Sequence, residues 1–218
     1  MKAALEAQGD KVKPKLRGVS HFFGFVLSLG ATLFLAMAPA SGFQYLAGLL
    51  YGASLCVMFG TSALYHRPTW SHRARQRLRK IDHSGIFALI AGTYTPLAVY
   101  SAHGHWSASL TVMWVGAVAG MIFMVGWSYA HRALRAAVYV VLGLWATPMV
   151  IGLYDVIGST LTGLLLLGSF VYIAGAGVYA RRWPNPRPDI FGYHEVFHVM
   201  VIVSAALHFS VVLILQYR

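Results

Sequence analysis

Polar residues are excluded from long stretches of this chain and gather in the short segments between them. Within the stretches, apolar side chains fill all faces, so no helical stripe or strand alternation stands out. A bilayer core is crossed by roughly 20 apolar residues of helix. By that measure the pattern predicts spans at 20–39, 43–65, 82–101, 108–129, 136–153, 158–180 and 194–216. None has the two-residue period of a barrel strand. The predicted fold class is all-α, an integral membrane bundle of seven transmembrane helices. Residues 1–19 read as an N-terminal arm and 20–218 as a single transmembrane domain, with no internal repeat. The first run has basic residues before it and Ala38-Pro39-Ala40 after it, like a cleaved leader. Its apolar stretch exceeds the roughly 7–15 residues of a leader core, so it reads as a retained helix.

Punctuation inside the runs adds detail. Pro96 and Pro148 predict kinks in spans three and five. Gly48/Gly52 and Gly116/Gly120 are spaced for close helix approach. They would serve a face joining two copies in a homo-oligomer or, as favoured here, packing within one bundle. The run Arg181-Arg182-Trp183-Pro184-Asn185-Pro186-Arg187-Pro188 predicts a stiff loop, since its prolines exclude a helix.

Composition narrows the class. Of 218 residues, 58% are hydrophobic and only 11% charged, against about 25% charged in a soluble domain. The net charge of +11 is not a nucleic-acid footprint, because no soluble module carries it. Lys2, Lys11, Lys13, Lys15 and Arg17 precede the first span, and Arg67, Arg73, Arg75, Arg77, Arg79 and Lys80 separate spans two and three. Arg132 and Arg135 follow span four, and Arg181, Arg182 and Arg187 follow span six. The loops 40–42, 102–107 and 154–157 contain no Lys or Arg. The positive-inside rule therefore puts the N-terminus in the cytoplasm and the C-terminus outside, in a multi-pass protein of the plasma or inner membrane. Anionic lipid headgroups are the expected partners of the basic loops. Cys56, the single cysteine, lies in an apolar run and reads as a packing thiol.

Against that background a few polar residues stand out. Ser62/His66 and His194/His198 are i, i+4 pairs, each on one helix face. Both pairs and Asp82 fall at the basic ends of their spans. Ionisable groups at membrane depth are costly, so their convergence at one level marks a functional site. His66, His194 and His198 make a donor set suited to zinc with one position open to water, although iron or copper would also accept imidazole. Asp82 would hold that water or act as general base, and Ser62 would donate a hydrogen bond. The competing reading is interfacial histidines with Asp82 paired to Arg79 or Lys80. His21, His72 and His131 read as interfacial, and His208, roughly 20 Å deeper than His194, as a core or relay histidine. His103 and His105 in the external loop give only a weak surface metal contact. His194-Glu195-Val196-Phe197-His198 matches the metalloprotease signature H-E-x-x-H. No acidic residue follows Glu195 to complete such a site, so the third ligand must come from an earlier helix.

Ser62-Ala63-Leu64-Tyr65-His66, Asp82-His83-Ser84-Gly85 with Gly92-Thr93-Tyr94-Thr95-Pro96, and His194-Glu195-Val196-Phe197-His198 with Ala205-Ala206-Leu207-His208-Phe209 occur in that order. In these motifs the chain resembles the hemolysin III group of the progestin and adipoQ receptor (PAQR) family. The resemblance implies a cytoplasmic-side zinc site with His66, His194 and His198 as ligands, Asp82 at the metal's water and Ser62 in the same polar cluster. The family is similar to alkaline ceramidases in this constellation, which implies a hydrolase of lipid amides or esters, with membrane lipid as substrate or ligand. Alternatives are a receptor-like lipid sensor with a structural zinc, and less favoured, a channel, transporter or cytolysin.

Overall fold

The computed structural model describes residues 13–101, 108–127 and 130–218. His103, His105 and residues 1–12 of the arm lie outside the described residues. The described residues are helical with no strand. The helices are α1 (Val19–Ala36), α2 (Gly42–His66), α3 (His72–Tyr100), α4 (Ala108–Gly126), α5 (Arg132–Leu144), α6 (Thr147–Gly152), α7 (Tyr154–Arg181) and α8 (Tyr193–Gln216). Among them α1, α2, α4, the α5–α6 unit, α7 and α8 are long and apolar enough to cross a membrane. The 29-residue α3 packs against α2, α4, α5 and α8. It is less apolar chiefly because its first turns are basic, with Arg73, Arg75 and Arg77 exposed. With α3, seven crossing elements correspond to the seven predicted spans.

The boundaries differ from the apolar pattern in instructive ways. Helix α3 begins at His72, ten residues before the predicted span, because Arg, Gln, Leu and Lys are good helix formers. Ser71 caps it, its Oγ accepting from Ala74 N at 3.4 Å. The segment read as a basic loop is thus a helical extension. Helix α3 continues through Pro96, whereas just before Pro148 the α pattern is interrupted by a turn at Trp145 and Ala146, which stay right-handed and keep N–H bonds to the preceding turn. There the chain restarts as α6 with Pro148 in the first turn, where its missing N–H costs nothing. Helix α7 starts before the predicted 158 and bends at Gly158, whose φ of 77° suits a residue without Cβ.

The apolar interior forms two clusters. One joins α1, α2, α3, α7 and α8 through Leu35, Tyr51, Phe59, Leu165 and Val211. The other joins α3 to α4 through Phe87, Tyr94, Met113 and Met124. The glycine pairs are used within the bundle. A Cβ at Gly52 would stand 2.8 Å from Thr32 Oγ1 of α1, and one at Gly48 2.7 Å from Gln216 Nε2 of α8. Gly116 faces Leu142, and Gly120 lies against the Phe87 ring. Large apolar side chains such as Leu27, Leu33, Ile122 and Phe170 point outward, as lipid-facing residues do. Cys56 is half-buried and contacts Ser28 and Thr32, Ser28 Oγ lying 3.3 Å from its sulfur.

Candidate metal centre

The last turn of α2 and the first two turns of α8 meet at the basic end of the bundle. His66, His194 and His198 come together there, and one ring nitrogen from each lies within 4.8 Å of the others. The Nε2 atoms of His66 and His194 are 3.2 Å apart. Metal–nitrogen bonds of 2.0–2.1 Å in a tetrahedron would separate two ligands by roughly 3.3 Å. The three rings are close in every pairing, with centroids 4.7 Å apart for His66–His194, 5.0 Å for His66–His198 and 4.4 Å for His194–His198. His66 and His198 are buried, and His198 Nδ1 has no partner within the protein. The donor set and its spacing fit a metal ion.

Asp82 enters from α3, about three turns after its start at His72. It is buried, its Oδ2 lies 3.8 Å from His66 Nε2, and it stands beside Ser62. Ser62 sits one turn before His66 and is buried, its Oγ 2.8 Å from His21 Nδ1.

His21 corrects the sequence reading. It is not an interfacial residue: it is buried, and its ring stacks on His198 with centroids 3.7 Å apart and planes 6° from parallel. One side chain of α1 thus touches both a histidine of the cluster on α8 and the Ser62 hydroxyl of α2. Its approach depends on Gly18, where φ is 75° and a Cβ would stand 2.6 Å from His66 Cβ. His72 and His131 are exposed, as read, and His131 caps α5 through Ala133 N. His208 is buried well away from the cluster, with Nε2 3.1 Å from Leu165 O, and belongs to the core.

Glu195, the middle of the H-E-x-x-H match, is turned to structural work. Its Oε2 accepts from Gly192 N at 2.8 Å, the carboxylate half of a capping box. Its Oε1 pairs with Arg17 Nε. The segment ahead of α1 is fastened further by Lys15 N to Asp189 O at 3.0 Å and Leu16 N to Ile190 O at 3.1 Å. Lys13 Nζ donates to Arg67 O at 2.8 Å. Burial, then the nearby Arg75, Arg17 and Arg67, lower the Lys13 pKa from its ordinary value. Residues 13–18 thus lie as a strap across the basic end, tied to the loops before α3 and before α8.

A second feature adjoins the centre. Between the two apolar clusters lies a cavity of ≈ 180 Å³, lined by Met58, Leu89, Tyr94, Tyr139, Phe197 and Val201 among others. The Phe197 ring lies 6.1 Å from His194 and 5.8 Å from His198 by centroids. One aromatic ring therefore forms part of the cavity wall and touches the histidine cluster.

Fold and centre together define a multi-pass helical membrane protein with a three-histidine cluster capable of holding a metal. The chain belongs to the haemolysin-III related family, whose sequence profile matches residues 10–209. It is similar to the Hemolysin-3 homolog of Bacillus subtilis (strain 168), 30% identical over 199 residues that cover 89% of this chain and 90% of that protein. It is also similar to the Adiponectin receptor protein of Drosophila melanogaster, 28% identical over 211 residues covering 87% of this chain and 48% of that one. The Progestin and adipoQ receptor-like protein 1 of Caenorhabditis elegans is 26% identical over 213 residues, covering 87% of this chain and 49% of that protein. These relatives agree with the hemolysin III and PAQR resemblance of the three motifs.

Proposed function

We propose that the chain is a zinc-dependent membrane hydrolase that cleaves lipid amides or esters at the cytoplasmic face. The observation that carries this reading is the apolar cavity meeting the histidine cluster at Phe197. An acyl chain in that cavity would bring its carbonyl to the cluster. His66, His194 and His198 would hold the ion. Zinc so bound supplies Lewis acidity, polarising a carbonyl and making water more acidic. Asp82 takes the proton of the attacking water and returns it to the departing nitrogen or oxygen as the acyl bond breaks. Ser62, held by His21, hydrogen-bonds the substrate carbonyl.

The test uses purified protein in lipid nanodiscs with an N-acyl lipid amide and the matching ester. Chelation is expected to abolish acyl release and added zinc to restore it, read by mass spectrometry of the freed fatty acid. No release of either substrate by zinc-loaded protein would sink the hydrolase reading. A second reading, a lipid sensor with structural zinc, draws support from the 3.8 Å between Asp82 and His66. A carboxylate there can close the coordination as a fourth ligand.

His21 adds a prediction. Outer partners that orient metal ligands are worth about 10–100-fold in affinity. H21A is expected to weaken zinc binding by about that factor, whereas H21F, which keeps a flat ring on His198, weakens it less. Competition with a chromophoric chelator measures both. Equal, undiminished affinity in the two variants would remove His21 from the centre.

A further inference from the structure

A second, polar cavity of ≈ 360 Å³ opens at the basic end of the bundle, among α5, α7 and α8. Its lining includes Arg132, Arg135, Arg182, Tyr179, Tyr193 and His131, and no carboxylate. The three guanidiniums come from two places, two from the first turn of α5 and one from the end of α7. Arg135 is a brace, its Nη1 donating to Ala130 O at 2.9 Å and its Nη2 to Tyr179 Oη at 2.7 Å. Because Tyr179 accepts from Arg135, its own hydroxyl proton is left to donate elsewhere. Arg182 holds the left-handed conformation at φ 58°, the helix-ending position that favours glycine, yet it carries a long cationic side chain that lines the cavity.

From this arrangement we infer a phosphate-binding site, separate from the three-histidine centre and independent of the hydrolase reading. Arginine matches phosphate because its planar fork donates two parallel, charge-assisted hydrogen bonds. Arg132 and Arg182 are the principal donors, with Tyr179 and Tyr193 hydroxyls beside them. Basic residues that merely set topology have no reason to converge on a concavity. Further along the same two helices, Val141 of α5 and Phe170 and Ile173 of α7 are exposed apolar side chains that acyl tails could cover. A phospholipid headgroup and a free phosphate share the chemistry that this cavity recognises. Tyr179 and Tyr193 also lie by His194, with ring centroids 6.0 and 6.2 Å away, so an occupant would sit against the neighbouring centre.

Native mass spectrometry of the full chain in detergent tests the site, with three probes: phosphatidylglycerol, diacylglycerol and inorganic phosphate. Wild-type protein is expected to retain phosphatidylglycerol in preference to diacylglycerol. R132Q/R182Q is expected to lose affinity for it by about a hundredfold or more, the range for two charged hydrogen bonds. R73Q/R77Q removes the same charge from exposed positions on α3 and is expected to bind as wild type. Displacement of the lipid by millimolar phosphate assigns the site to the phosphate group from any source; retention assigns it to the lipid. Phosphate binding without lipid binding assigns it to a free phosphate. Equal losses in both double variants, undiminished binding by R132Q/R182Q, or no binding of either phosphate probe by wild type overturns the inference. Should the double variant fail to fold, R182Q alone, at an exposed helix end, carries the same comparison.

Discussion

An H66A/H194A/H198A protein is expected to purify without zinc, where the unaltered chain carries about one ion. Zinc held by a protein site of this type contributes about 10–16 kcal/mol in small peptides. Loss of one ligand of three therefore removes about 3 kcal/mol or more, at least roughly a hundredfold in affinity. Each single alanine variant is expected to fall in that range, and the triple variant to bind no ion at micromolar zinc. Elemental analysis of purified protein measures the first quantity and chelator competition the second. The rings are close in all three pairings, so no single histidine is dispensable. Full zinc content in the triple variant would refute the assignment of these ligands, whatever the activity of the protein.

D82N is expected to separate the two readings of the centre. Asparagine keeps the shape of the buried side chain and removes its capacity to accept a proton. General acid–base groups contribute about 10²–10⁴ in rate, and lipid hydrolysis should fall by that factor. Zinc content and thermal stability should stay near those of the unaltered chain. If Asp82 instead completes a closed structural site, the same substitution strips zinc and lowers the melting temperature together. The two outcomes are read from one preparation, by metal analysis, a thermal scan and the fatty-acid assay.

Much of the bundle was legible because a membrane leaves a helix few choices. Spans must be long, apolar and continuous, and the basic residues collect at one end. What escaped was whatever that pattern does not constrain. The start of α3 was hidden because its first turns are basic, and hydropathy cannot tell a charged helix from a charged loop. Pro148 was read as a kink, and the α ladder there tightens into a turn at Trp145 and Ala146 before α6 resumes it. The i, i+4 spacing disclosed Ser62/His66 and His194/His198, and their shared level near the basic end disclosed Asp82. His21 gave no such signal, since a lone histidine has no partner at helical spacing. Its level beside the basic boundary was the available clue, and only the crossing of α1 over α8 makes it a neighbour of His198. The role of Glu195 was left open by the five-residue match, and the fold gives its two oxygens to Gly192 and Arg17.

The order of synthesis gives the strap a further meaning. His66 emerges 128 residues before His194, and the backbone carbonyls of Asp189 and Ile190 that receive Lys15 and Leu16 are made just ahead of the last helix. A nascent chain with six helices inserted has one imidazole of three, and its leading segment has the Arg67 carbonyl for Lys13 but not yet Glu195 for Arg17. Only when the final helix leaves the ribosome can Arg17 reach Glu195 and the three histidines come together. Any metal would thus be taken up only after insertion is complete, and a chain truncated before α8 would leave the translocon without two of the three histidines.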